Sequence, residues 1–421
     1  MRKKIFWFIF ANILLLSSGC WDSIELENRA FAVAIGIDAM VDKSEKNDRP
    51  KEEKPKEETN SEEKDEKSEE NDNSEGKDEK PEEKNESEEA EDNPNEKGQS
   101  RFRFFATIAH PSEDSGGGEE GNSNDVEEEE NNDPSALGQT VIEAIRALDA
   151  RSSRKLFLGH VKAIVLGKSL LEDQTLFREA IATIENYAEI DRTITVLATD
   201  SKVSDVLSAH PQGESKPGYY VVNFYRLAPK SGGRSFHKTF NDMTNDLRTT
   251  GNTLLPFIQE GQQNNENLLT KGALVIKDYQ LAGELDGIQL RGLLWATNKA
   301  CQDAILTTND HISMIVRNHK SKLHFSEEAG RLRCIIDVRV KGEIESFQNN
   351  KSLNEEYEQL ITGEINNAIQ KLQQELEFDG FNFMAALRKQ RYSLYQQYSS
   401  DWAETFKNME ITPLVRCNII F

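Results

Sequence analysis

The 421-residue sequence predicts an α+β, multidomain fold: mixed sheets with packed helices, in about three domains. Two patterns carry this. Between Phe31 and Ala198, short apolar runs of strand length alternate with stretches whose apolar residues recur every three or four positions, as in layered sheet and helix. From Ile336 onward an alternating strand, a long amphipathic stripe and a second alternating strand repeat that theme in a separate section. Pro211, Gly213, Pro217 and Gly218 punctuate the chain between the two.

The chain opens on Arg2, Lys3 and Lys4, an uncharged apolar run from Ile5 to Leu16, and then Ser17, Ser18, Gly19 and Cys20. The apolar run is too short to span a bilayer comfortably, and its layout is that of a secretory signal over residues 1–19. A signal ending in Gly-Cys resembles a lipobox, with Ser17 where such sites usually carry leucine. The resemblance implies that Cys20 is the lipidation site and the mature N-terminus. Two or three acyl chains, such as palmitate, anchor far more firmly than one, at ~0.8 kcal/mol per buried CH₂. The expected location is therefore extracytoplasmic and membrane-tethered.

Residues 20–200 read as an N-terminal α/β domain. Phe31–Asp38 is an apolar strand, and Phe102, Phe104, Ala106 and Ile108 alternate in a second one. The two strands bracket a polar insertion, as in a hairpin with a lengthened turn. Leu137, Val141, Ala144, Ile145 and Leu148 share one helical face. Val161–Leu166 is apolar apart from Lys162, as expected of a strand buried on both faces. A helix bearing Leu176, Phe177, Ala180, Ile181, Ile184 and Tyr187 follows, and Thr193–Ala198 closes the domain.

Residues 201–298 read as a smaller middle α+β domain. Gly251–Pro256 approaches a strand, and Gly272–Ile276 and Tyr279–Gly283 form a hairpin around Lys277 and Asp278. Residues 299–421 read as a C-terminal α+β domain. Ile336, Val338, Val340 and Ile344 mark a half-buried strand, and Leu353 through Leu376 a long helix. Val415, Cys417, Ile419 and Phe421 share one face of a terminal strand. Tyr219, Tyr220, Phe224 and Tyr225 cluster with Arg226, readable either as core or as a contact surface.

The formal charge of −23 is confined to two low-complexity inserts. Residues 41–100 hold 25 acidic against 12 basic residues, residues 113–133 hold 10 acidic and none basic, and the remainder is formally neutral. Such composition cannot bury enough apolar surface to offset ordering entropy, so both inserts are expected to be disordered. Their charge, and the lack of a basic stripe, argue against a nucleic-acid partner.

Chemical motifs fail on context. Gly167-Lys168-Ser169 ends like a phosphate-binding loop, but position 162 is lysine where that loop needs glycine. Ser152–Lys155 matches Ser-x-x-Lys without the companion elements of penicillin-binding enzymes. The seven histidines show no metal spacing, and no Cys-x-x-Cys occurs. The expectation is no enzyme, no cofactor and no metal. Cys334 and Cys417 fall on apolar strand faces and read as small core residues; a disulfide is open to them if their strands are neighbours.

Four stretches in order carry a family resemblance. They are Cys20–Leu26 leading into Ala30–Asp38; His110-Pro111-Ser112 with Ser115–Gly118; Ala150–His160; and Asp401-Trp402, Phe406-Lys407 and Leu414–Phe421. Together they resemble the Ger(x)C family, the C-subunit lipoproteins of spore nutrient germinant receptors. The resemblance implies a subunit on the outer face of the inner spore membrane. It would act with two membrane-spanning subunits, A and B, in nutrient-triggered germination. The alternative is an extracytoplasmic solute-binding lipoprotein serving a transporter, which would show a pocket between two similar lobes.

Overall fold

The computed structural model describes residues 28–40, 100–109, 134–209, 220–223, 232–261, 268–299, 301, 303–344 and 352–420. The leader with Cys20, nearly all of both acidic inserts, His110–Gly118, and Tyr219, Phe224, Tyr225 and Arg226 lie outside them.

Strand β1 (Arg29–Ala39) is the axis of a nine-stranded mixed sheet. Strands β2 (Phe102–Ala109) and β3 (Ser135–Gly138) extend it antiparallel on one side, as the hairpin expectation required. On the other side β1 runs parallel first to β4 (Lys155–Phe157) and then to β5 (Ala163–Gly167). Then come β6 (Thr195–Thr199), β7 (Thr253–Glu260), β8 (Leu268–Lys277) and β9 (Gln280–Leu285). In β5, Ile164 and Leu166 face one core and Ala163 and Val165 another, so the strand is buried on both faces.

Helices α1 (Val141–Arg151), α2 (Lys168–Glu172), α3 (Gln174–Asn186) and α5 (Phe240–Thr250) cover one face, and α4 (Val203–Ser208) the other. The placement of Leu137 on a helix is corrected: it lies in β3, and α1 begins at Val141 behind Thr140, whose hydroxyl accepts from Glu143 N at 3.2 Å. The expected boundary near residue 200 falls inside this sheet, because β6 pairs with β7 through Ala198–Phe257 and Thr199–Ile258. The strands of the middle section thus extend the N-terminal sheet.

The second sheet is ordered β10 (Ile305–Thr307), β11 (Ser313–Glu328), β12 (Arg331–Ile344), β13 (Glu410–Ile420). Ala329 and Gly330, both at positive φ (51° and 75°), turn β11 into β12. Helix α6 (Gly287–Ala296) starts in a capping box made by Asp286 and Gln289. It lies in one core with Ala273, Val275 and Leu285 of the first sheet and Cys334, Ile336 and Val338 of the second. The long stripe forms α7 (Ser352–Ile369), which widens into a π-helical turn over Gln370–Glu375. Three short helices follow: α8 (Phe383–Gln390), α9 (Tyr392–Tyr398) and α10 (Trp402–Asn408). No helix among the described residues is long and apolar enough to cross a membrane.

Candidate functional site

Those of the distinguishing stretches that lie among the described residues take part in three joints. The first lies where the described chain enters β1. Short strand β4 docks beside Arg29–Phe31 and brings Phe157 to Phe31, ring centres 5.6 Å apart and edge-on at 81°. His160 closes the triangle, 5.1 Å from Phe31 and 5.6 Å from Phe157. A β-carbon on Gly159 would stand 2.6 Å from Phe157 Cζ, so a side chain there would push the ring out of its place in the triangle. The Arg29 guanidinium lies 4.8 Å from the Phe157 ring centre, within cation–π range.

Two carboxylates shape this turn. Asp149 accepts from Leu156 N at 2.7 Å, and Glu189 accepts from Leu158 N at 3.2 Å. With those two engaged by the backbone, exposed Arg154 and Lys155 give the edge a basic, aromatic character. Ser152 accepts from Arg154 N at 3.2 Å, a local turn and not a nucleophile poised on Lys155.

The second joint is the far end of β1. A β-carbon on Gly36 would stand 2.2 Å from Val203 Cγ1, so this glycine lets α4 lie directly on the strand. Asp38 receives the Ser169 hydroxyl and the Ala39 N–H, the latter at 3.0 Å. Burial raises its pKa, and the bonds from Ser169 and Ala39 and the charge of Arg103 offset part of that rise. The space over Gly167 is filled by the same carboxylate, 2.3 Å from where a β-carbon would sit. Gly167-Lys168-Ser169 therefore seats an aspartate where a nucleotide loop would seat phosphate.

The third joint unites the C-terminal stretch. Asp379 accepts from Phe383 N and Met384 N at 3.0 Å each and from Trp402 Nε1 at 3.1 Å. Phe406 packs 6.3 Å from Phe383, and Gln373 donates to the carbonyls of Phe406 and Met409 at 2.7 Å. Gln373 escaped the sequence reading because its partners lie 33 and 36 positions away, and the link from Asp379 to Trp402 spans 23.

Cys334 and Cys417 are free, as is Cys301. Their strands are neighbours, but Cys334 pairs with Ile411 and Cys417 with Val340, about 20 Å along the ladder. A disulfide is therefore excluded by register. Burial, first among the causes, pushes the Cys334 and Cys417 thiols up to about 12. Among the described residues no three His, Cys, Asp or Glu side chains gather at metal-binding distance.

Residues 90–260 match the family model of the spore germination protein N-terminal domain. Residues 271–420 match that of the spore germination B3/GerAC-like C-terminal domain. YfkR, a Bacillus subtilis (strain 168) protein named for spore germination, is 21% identical over 295 residues, covering 66% of this chain and 75% of its own length. The crystal structure of the GerBC protein superposes with a TM-score of 0.49 at 17% identity, over 76% of this chain and 94% of that one. With both family models matched in order, the chain belongs to the Ger(x)C family of spore germination proteins, the C-subunit family of germinant receptors.

Proposed function

We propose that this protein is a non-enzymatic, lipid-anchored C subunit of a nutrient germinant receptor. It is held by acylated Cys20 on the outer face of the inner spore membrane and acts with membrane subunits A and B. The observation that carries the reading is the ordered match of both family models from residue 90 to residue 420. A lipobox-like leader on the same chain supports the anchor. Arg29 is nine residues after Cys20, so a tether there holds the basic, aromatic edge of β1 and β4 within about 30 Å of the bilayer. A tether also raises the effective concentration of the subunit near membrane partners.

One cleft among the described residues lies between the end of α6, β11 and α8, within one part of the chain. That favours the receptor subunit over a solute-binding lipoprotein, which would bind between two similar lobes. Deleting the gene should abolish germination with particular nutrients while growth, sporulation and responses to receptor-bypassing agents persist. Cys20→Ala should rescue poorly and leave membranes or retain its signal. A null mutant with only an uptake defect would replace this reading with the solute-binding one.

A further inference from the structure

A cleft of about 630 Å³ opens where β11 leaves the cover of β10. Its geometry follows from the local chain. Helix α6 ends at Ala296, and Thr297 caps it through a bond from its hydroxyl to Leu293 O at 2.8 Å. Asn298 then turns the chain at a φ of 56°, and its side-chain oxygen accepts from Ser321 N at 3.0 Å. Ser321 in turn donates its hydroxyl to Ala296 O at 2.8 Å. Asn298 thus stands where a neighbouring strand would, since β10 pairs only with Ser313–Ile315. Strand alternation turns Leu323 the same way as Ser321, backbone polar groups toward the cleft.

The opposite wall is α8 and the residue ahead of it. Phe381 stacks on Phe383 with ring centres 4.9 Å apart and planes 8° from parallel. The start of α8 is fixed by Asp379 behind it. The walls are therefore set before any ligand arrives.

The charge of the lining is one-sided. Lys299, Lys322 and Lys389 contribute to it, and no Asp or Glu lines the cleft. Among the described residues Lys238, Lys271, Lys371 and Lys407 each hold a carboxylate, whereas none of the three cleft lysines is ion-paired. Asp337, opposite Lys322 in the ladder, is taken by Arg339 and Arg416. Lys299 is exposed, with its ammonium 5.8 Å from the Phe236 ring centre; desolvation and then the charge of Lys238 lower its pKa, and Asp246 and Asp242 offset part of that fall. Lys299 follows the last turn of α6 and Lys389 stands within the last turn of α8, where helix dipoles tolerate cations. Between these cations Leu323, Phe381 and Ala386 supply an apolar surface.

We propose that this cleft binds a small soluble organic anion with more than one negative charge, its apolar body against Leu323, Phe381 and Ala386 and its carboxylate or phosphate groups toward the lysines. This goes beyond the receptor-subunit reading and is independent of Cys20.

The test is titration calorimetry on the full chain in neutral detergent at low salt. The probes are phthalate, its neutral dimethyl ester, and inorganic phosphate. Phthalate should bind saturably at one site, the ester should not, and phosphate should bind more weakly for want of an apolar body. Joint Lys322→Gln and Lys389→Gln substitution should weaken phthalate at least about tenfold, since each charged contact to an anion is roughly twice a neutral one. Lys371→Gln, whose partner is Glu375, should leave binding unchanged. Ala386→Leu, which fills the cleft without touching a charge, should weaken binding as well. Thermal midpoints report whether each variant folds.

Absence of saturable phthalate binding overturns the proposal, and so does undiminished binding by the double lysine variant. Lysine-dependent binding to phosphatidylglycerol vesicles without phthalate binding overturns it too, assigning the lysines to a lipid headgroup. A germination defect in the deletion strain without anion binding would leave the receptor reading standing. Anion binding without a germination defect would do the reverse.

Discussion

A β-carbon on Gly292 would stand 2.0 Å from the backbone carbonyl oxygen of Glu364. Helices α6 and α7 therefore meet main chain to main chain, and the side chain of the same Glu364 fastens the crossing. It accepts from Arg291 Nε at 2.9 Å and from Trp295 Nε1 at 2.8 Å, and it pairs with a second Arg291 nitrogen. Trp295 is fully buried here, so the joint lies in the core shared by both sheets.

Gly292→Ala should destabilise the protein. Alanine favours a helix interior over glycine by about 1 kcal/mol, but the atom it meets is backbone and cannot rotate away. Forcing the helices apart should outweigh the gain, for a net loss of about 1–3 kcal/mol in urea denaturation. A midpoint unchanged or raised would mean that the helices are not in main-chain contact.

Glu364→Gln should cost more, although it conserves shape. The amide oxygen can still serve Trp295, but the Arg291 guanidinium, with only 13% of its side chain exposed, is left without its counter-charge. Removing one member of such a pair typically costs about 3–5 kcal/mol, while replacing both with apolar groups is often near neutral. The double variant Arg291→Met, Glu364→Met should therefore recover most of the loss. Equal instability of single and double variants would rule out the charge-pair explanation.

Asp38 offers a test by pH. Its folded-state pKa is raised, chiefly by burial, so the native state holds this proton more tightly than the unfolded chain does. The resulting stabilisation is complete below the unfolded value of about 3.8 and is lost as pH rises through the folded value. Asp38→Asn keeps a partner for Ser169 and cannot ionise. Its stability relative to wild type should rise from pH 4 toward pH 7 in parallel denaturation curves. A difference that stays constant or falls over that range would contradict the assignment.

These joints were legible to different degrees. β5 was plain because both its faces are apolar, and α7 because its stripe persists for five turns. The hairpin of β8 and β9 was visible too, with the turn one residue later than read, at Asp278 and Tyr279, both at positive φ. Leu137 misled because it stands four residues before Val141, a spacing that a helix also satisfies. Strand β11 was missed because residues 317–322 carry little apolar alternation, neither face being deeply buried there. The pairing of β6 with β7 and the convergence of three lysines on one cleft join distant segments. No local periodicity encodes such contacts.

The first insert gives the last prediction. Met40 N donates to Arg101 O at 2.9 Å, and Asp38 pairs with Arg103 and Ala39 with Phe102. The ladder is therefore closed at its end by residues flanking the insert. Replacing residues 43–98 with a two-residue turn leaves every one of these bonds available. Loop-closure entropy changes by only ~0.6 kcal/mol per doubling of length, and shortening about sixty residues to a handful spans about four halvings. The folded state should gain about 2 kcal/mol at most, moving the thermal midpoint upward by a few degrees. Circular dichroism melts of the full and shortened chains make the comparison. A midpoint lowered by more than a few degrees would show that the insert makes contacts the fold needs.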